Sequence, residues 1–88
     1  MINQALRIAI IKILLRLDGT PLRETTLRSE VEIAVATPIT TTDFMQTMES
    51  MIEQSLVFKS HDLLFNESTY SLTQLGREIS KHHVRANN

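Results

Sequence analysis

The sequence predicts a single, mainly helical α+β domain, with three helices first, then a short antiparallel hairpin and a closing helix. Three observations predict it. Apolar residues recur at helical spacing in three stretches before residue 55, each bounded by Gly, Pro or a run of threonines. Leu56-Val57-Phe58-Lys59 and Ser68-Thr69-Tyr70-Ser71-Leu72 then have the composition and alternation of strands. Thr73 follows as a capping residue before a last segment of helical spacing. With 88 residues, residues 1–88 form one domain with a small core.

The elements follow in order. Residues 2–17 lack Gly and Pro and stop at Asp18-Gly19. At about 100° per residue, Leu6, Ile10, Ile13, Leu14 and Leu17 share one face. Ile8, Ile11 and Leu15 form a second apolar stripe, with Arg7, Lys12 and Arg16 on the flanks. Thr20-Pro21-Leu22 is extended, because Pro disfavours a helix interior. A second helix from about Arg23 to Val35 turns Leu27, Val31, Ala34 and Val35 inward, and Ala36-Thr37-Pro38-Ile39 breaks it. Thr40-Thr41-Thr42-Asp43 supplies capping hydroxyls and an early carboxylate to a third helix ending near Gln54. Phe44, Met48, Met51, Ile52 and Ser55 mark its inner side; Thr42, Asp43, Gln46, Glu49, Ser50 and Glu53 mark its outer side. Met45 falls at the edge. The two strands come next, and the last helix, Gln74 to about His83, places Leu75 and Ile79 inward. Ala86-Asn87-Asn88 is expected to fray.

Composition excludes several functions. The formal charge is −1, so no general basic attraction to nucleic acid exists. Cys is absent, which removes disulfides and thiolate metal sites and fits a cytoplasmic protein. Met1 to Leu17 is interrupted by three cations, so it is neither a signal peptide nor a membrane span. There is no Gly-rich phosphate loop, nucleophile elbow or paired His-Glu motif, so no enzyme and no cofactor are expected. His61, His82 and His83 do not make a metal site, because adjacent histidines on a helix point in different directions. Glu49 and Glu53, four residues apart, read as a solvated helix face.

The order helix, short strand, helix, helix, strand, strand, helix carries a resemblance. Leu14-Leu15-x-Leu17-x-Gly19-x-Pro21-Leu22 resembles the first helix and short strand of winged helix-turn-helix domains. Phe44-x-x-x-Met48-x-x-Met51-x-x-x-Ser55-Leu56-Val57 resembles their third helix running into the first wing strand. Tyr70-Ser71-Leu72-Thr73-x-x-Gly76-Arg77 resembles their exit from the wing. The chain thus looks like the small bacterial regulators of the multiple-antibiotic-resistance and phenolic-acid-response types. That resemblance implies a three-helix core, a wing of two or three short antiparallel strands and a C-terminal helix. It also implies a DNA-binding transcriptional regulator whose third helix enters the major groove while the wing touches the backbone or minor groove.

The sequence departs from that pattern in its charges. Ser29 to Phe58 holds five acidic residues and no Lys or Arg, and the third helix lies within it. Outside that stretch nine basic residues stand against five acidic ones. Phosphate contacts need cations, so duplex DNA is expected to bind weakly. Thr41, Thr42, Gln46, Glu49 and Ser50 are the candidate contact residues on the third helix, and Arg23, Arg28 and Lys59 are the candidate basic rim. The alternative is a winged helix that binds a protein, as a nucleic-acid mimic would. The second stripe, Ile8, Ile11 and Leu15, predicts a homodimer through the first helix. Leu63-Leu64-Phe65 stands where wings usually carry Arg or Lys. It either folds back on the domain or forms an exposed apolar tip for a partner.

Overall fold

The computed structural model describes residues 4–17 and 19–86, with side chains described as far as residue 82. Asp18 of the expected stop signal, and Asn87 and Asn88 of the expected frayed tail, lie outside the described residues, as does the side chain of His83. The elements run α1 (Gln4–Arg16), β1 (Leu22–Arg23), α2 (Glu24–Val35), α3 (Thr41–Glu53), β2 (Val57–Asp62), β3 (Glu67–Leu72) and α4 (Gln74–Ala86).

Local chemistry explains the boundaries. After α1, Gly19 takes φ of 91°, a conformation that costs a residue without Cβ little. The α2 helix ends where Ala36 turns left-handed and its N–H reaches the Ile33 carbonyl. The Thr40 side chain caps α3 by accepting from the Asp43 N–H at 3.0 Å. Thr73 caps α4, its hydroxyl oxygen accepting from the Gly76 N–H at 2.9 Å.

One antiparallel sheet has the order β1-β3-β2, with β3 in the centre. Tyr70 is the pivot of its register, opposite Leu22 on one side and Lys59 on the other. The strands are longer than their apolar patterns, since β2 continues through Ser60, His61 and Asp62. Burial does not drive that extension; pairing with β3 does, down to Asp62 opposite Glu67.

The core gathers Leu6, Ile10, Ile13 and Leu14 of α1, Leu27 and Val31 of α2, and Phe44, Met48 and Met51 of α3. Val57, Tyr70 and Leu72 close it from the sheet. Burial of each such side chain contributes about 1.5–3 kcal/mol. Three expectations need correction. Leu17 is only half-buried, and Ala34 and Ser55 are exposed, while Ala9 and Thr47 are buried instead. Thr47 is tolerated there because its hydroxyl donates to the Asp43 carbonyl at 2.8 Å.

The largest correction concerns α4. Leu75 and Ile79 remain 47% and 48% exposed, and the inward positions are Gly76 and Ser80. The reason is backbone proximity. A Cβ at Gly76 would lie 2.1 Å from the Leu56 carbonyl oxygen. Thr73 fixes this approach, its N–H donating to Leu56 O at 3.1 Å and its hydroxyl donating to Ser55 O at 2.5 Å. With small residues facing the body, the large apolar side chains of α4 point elsewhere.

The start of α2 is held from β3. Its N-cap, Arg23, supplies no side-chain cap. Glu67 does so instead, one carboxylate oxygen accepting from the Thr25 N–H at 3.0 Å and the Thr25 hydroxyl at 2.8 Å. These two bonds hold the Glu67 carboxyl below the usual carboxylate range. The Tyr70 hydroxyl donates to Glu24 at 2.7 Å. Burial, then this bond to Glu24, pushes the Tyr70 phenol well above its ordinary value, so it stays a donor.

Candidate nucleic-acid interface

The outer side of α3 follows the sequence prediction except at Ser50, which is half-buried. Thr41, Thr42, Asp43, Gln46, Glu49 and Glu53 are exposed, and Phe44, Met48 and Met51 anchor the other side in the core. Met45 is half-buried and packs on the core edge. The hydroxyls and amide of Thr42 and Gln46 face solvent between carboxylates.

Cations reach α3 from other helices, which the local sequence does not reveal. At the N-terminal end, Arg28 of α2 donates to the Thr41 hydroxyl at 2.8 Å and to the Ile39 carbonyl at 3.0 Å. Its Nε lies 3.6 Å from Glu32, so part of its charge is offset. At the C-terminal end, Arg7 of α1 donates to Gln54 Oε1 at 2.7 Å and to the Ser50 hydroxyl at 3.3 Å. Arg7 was expected only as a flank of α1. Ser50 is therefore half-buried and engaged, not a free contact residue. Thr41 is likewise already an acceptor.

The basic rim is divided rather than continuous. Arg28 belongs to the start of α3. Arg23 lies at the end of β1, its guanidinium 4.1 Å from the centre of the Phe65 ring. Lys59 is exposed on β2 opposite Tyr70. Thus Arg23 and Lys59 serve the β2–β3 hairpin, and Arg7 and Arg28 serve α3.

The hairpin end resolves the two readings of Leu63-Leu64-Phe65. Leu63 is 89% exposed and Leu64 83%, while Phe65 is 55% exposed beneath Arg23. Asp62 Oδ1 accepts from the backbone N–H of Leu64 at 2.9 Å and of Phe65 at 3.2 Å. Asn66 takes φ of 52°, and its Oδ1 lies 3.1 Å from His61 Nε2. The turn is thus held by its own polar groups and leaves its leucines in solvent.

The α1 stripe is partly spent within the chain. Ile11 and Leu15 are half-buried and pack against the core, and Ile8 is half-buried. α4 packs on α1. Among the described residues no group of three or more His, Asp or Glu could hold a metal ion, and no helix is long and apolar enough to cross a membrane.

H. salinarum RosR, in crystals grown from NaBr, superposes with a TM-score of 0.82 at 16% identity, over 97% of this chain and 74% of that one. The fold is a winged helix. A transcriptional regulator of the MarR family from Silicibacter pomeroyi superposes with a TM-score of 0.66 at 19% identity, over 94% of this chain. The chain spans about half that regulator's length, 53%. No family model and no curated protein matches the sequence. The resemblance read from the sequence is to the same fold. In winged-helix terms α3 is the third helix and the β2–β3 hairpin is the wing; this wing ends in two exposed leucines.

Proposed function

We propose that this winged helix is a non-enzymatic DNA-binding transcriptional regulator that binds duplex DNA through α3 and the wing. The observation that carries the reading is the exposed polar side of α3, with Thr42 and Gln46 outward and an arginine at each end of the helix. Gln46 can read adenine, and Glu49 can accept from cytosine. The MarR-family neighbour is a transcriptional regulator, which supports the same reading. Arg7 and Arg28 supply what the acidic stretch lacks, but both are already hydrogen-bonded, so generic affinity stays low. Fluorescence anisotropy with mixed-sequence duplex tests it. Binding should be measurable at low salt and fall to about 10⁻⁴ M at physiological salt, with a shallow salt slope. Absence of binding at low salt, for specific and mixed duplexes alike, would discard it. A basic protein partner is the second reading, favoured by Asp43, Glu49 and Glu53 on the outer side of α3.

The assembled form proposed is a homodimer through α1 and α4. Ile8, Ile11 and Leu15 are each half-buried, and Leu75 and Ile79 keep about half their surface in solvent. A second copy covering them would offset the cost of association through apolar burial. Sedimentation at micromolar concentration should show a dimer, and Ile79→Glu should convert it to a folded monomer. A monomeric parent protein would end this part of the proposal.

A further inference from the structure

A cleft of about 310 Å³ opens between α1, β1 and α2. Ile13, Arg16 and Leu17 line it from α1 and its end, Leu22 from β1, and Thr26 and Glu30 from α2. None of these residues belongs to α3 or the wing. At about 100° per residue, Ile13 and Leu17 lie on the side of α1 away from Ile8, Ile11 and Leu15, so the dimer proposed above leaves the cleft open. Ligand pockets run from about 300 to 1,000 Å³, so this one suits a small molecule.

The lining has two parts. Ile13 is buried, and Leu17 and Leu22 are half-buried, which makes an apolar floor. Arg16 and Glu30 are exposed and bring opposite charges to it. Among the described residues neither has an ion-pair or hydrogen-bond partner, and they do not pair with each other. Arg16 lies in the last turn of α1, where a cation suits the helix dipole. Glu30 has no such local partner, since it stands mid-helix in α2 with Thr26 and Ala34 four residues away on either side. This arrangement selects the occupant. A ligand with one charge gains from one group and is repelled by the other. A neutral ligand takes water from both and pairs neither. A small ligand with both charges at one end and an apolar body satisfies the cation, the anion and the floor together.

We propose that this cleft binds a free α-amino acid with an apolar side chain. Its carboxylate meets the Arg16 guanidinium, whose planar fork suits that group. Its ammonium meets Glu30, and its side chain lies on Ile13, Leu17 and Leu22. Both charged groups of the protein stay in contact with water, so each pair adds little, and Kd is on the order of 10⁻³ M. The site goes beyond the DNA-binding reading and is independent of it, because α3 and the wing contribute nothing to the cleft.

The test titrates the full chain with L-leucine at neutral pH and follows backbone amide chemical shifts. Saturable shifts should centre on Ile13, Leu17, Leu22 and Thr26. Three analogues separate the contributions. N-acetyl-L-leucine keeps only the carboxylate charge and L-leucinamide only the ammonium, and each should bind severalfold more weakly than leucine. Glycine keeps both charges without the side chain and should bind about tenfold more weakly or worse. The variants should then reverse the preferences. With Arg16→Gln, leucinamide should bind as well as leucine; with Glu30→Gln, N-acetyl-leucine should. Both variants should melt with the parent, since both positions are exposed. Shifts that never saturate or that centre elsewhere would overturn the proposal. So would equal binding of leucine by the parent and of either singly charged analogue, or glycine binding as well as leucine. Each of these results leaves the DNA-binding reading standing, and a failure to bind duplex leaves the cleft untouched.

Discussion

Gly76→Ala should lower the melting temperature by roughly 10–20 °C, a loss on the order of 3 kcal/mol. The sign is the informative part. Gly76 lies in the first turn of α4, where Ala is ordinarily the better helix former by about 1 kcal/mol. Propensity alone therefore predicts stabilisation. Against it stands the Leu56 carbonyl oxygen, 2.1 Å from where the new Cβ would be. That neighbour is backbone and cannot rotate aside. Leu56 O also accepts from the Thr73 N–H at 3.1 Å, so moving α4 away would break the contact that seats it. The helix must shift as a body, and the wing's first strand with it. Thermal unfolding followed by circular dichroism measures this directly. Leu75→Ala is the internal comparison: it removes more atoms from the adjacent position, yet should cost less than about 1 kcal/mol because Leu75 is half in solvent. A Gly76→Ala protein that melts with the parent would show that α4 is not seated on the strand as described.

Gly76 also shows what the sequence could and could not disclose. Apolar spacing was enough for α1, α2 and α3, because each buries a broad stripe of Leu, Ile, Val or Met in one core. It misled at α4, where contact runs through backbone and small residues, and spacing cannot distinguish an apolar face turned inward from one awaiting a partner. Caps were legible, since Thr40 and Thr73 act within three residues of themselves. The cap of α2 was not, because Glu67 acts from across 42 residues. The same limit governs the candidate interface. Gln46, Glu49 and Glu53 could be placed outward from helical spacing alone. Arg7 and Arg28 could not be placed at the ends of α3, since that depends on how the helices pack. Charge segregated along the chain is thus partly mixed again in space.

That mixing bears on the substitution with the largest expected effect on binding. Glu49→Gln/Glu53→Gln should raise affinity for mixed-sequence duplex by about tenfold or more at low salt and steepen its salt dependence. Both carboxylates are exposed on the outer side of α3. In a docked complex each would meet phosphates of like charge and lose hydration with no cation beside it, a cost that Gln avoids while keeping its size. Arg7 reaches the same end of the helix but donates to Ser50 and Gln54, and so does not neutralise Glu49 or Glu53 through an ion pair. The gain should therefore be largely electrostatic and should shrink as salt rises. Stability should change little, since neither residue is buried. Anisotropy titrations of parent and variant across a salt series give both affinity and slope. The two readings of the protein separate here. For a DNA-binding regulator the variant gains generic affinity but loses base preference, because Gln cannot reproduce the acceptor pair offered to cytosine. For a winged helix that uses this face against a basic protein, the variant gains DNA affinity and loses its partner. If affinity and salt slope stay at the parent's values, α3 does not face the duplex at all, and whatever DNA contact exists belongs to the wing.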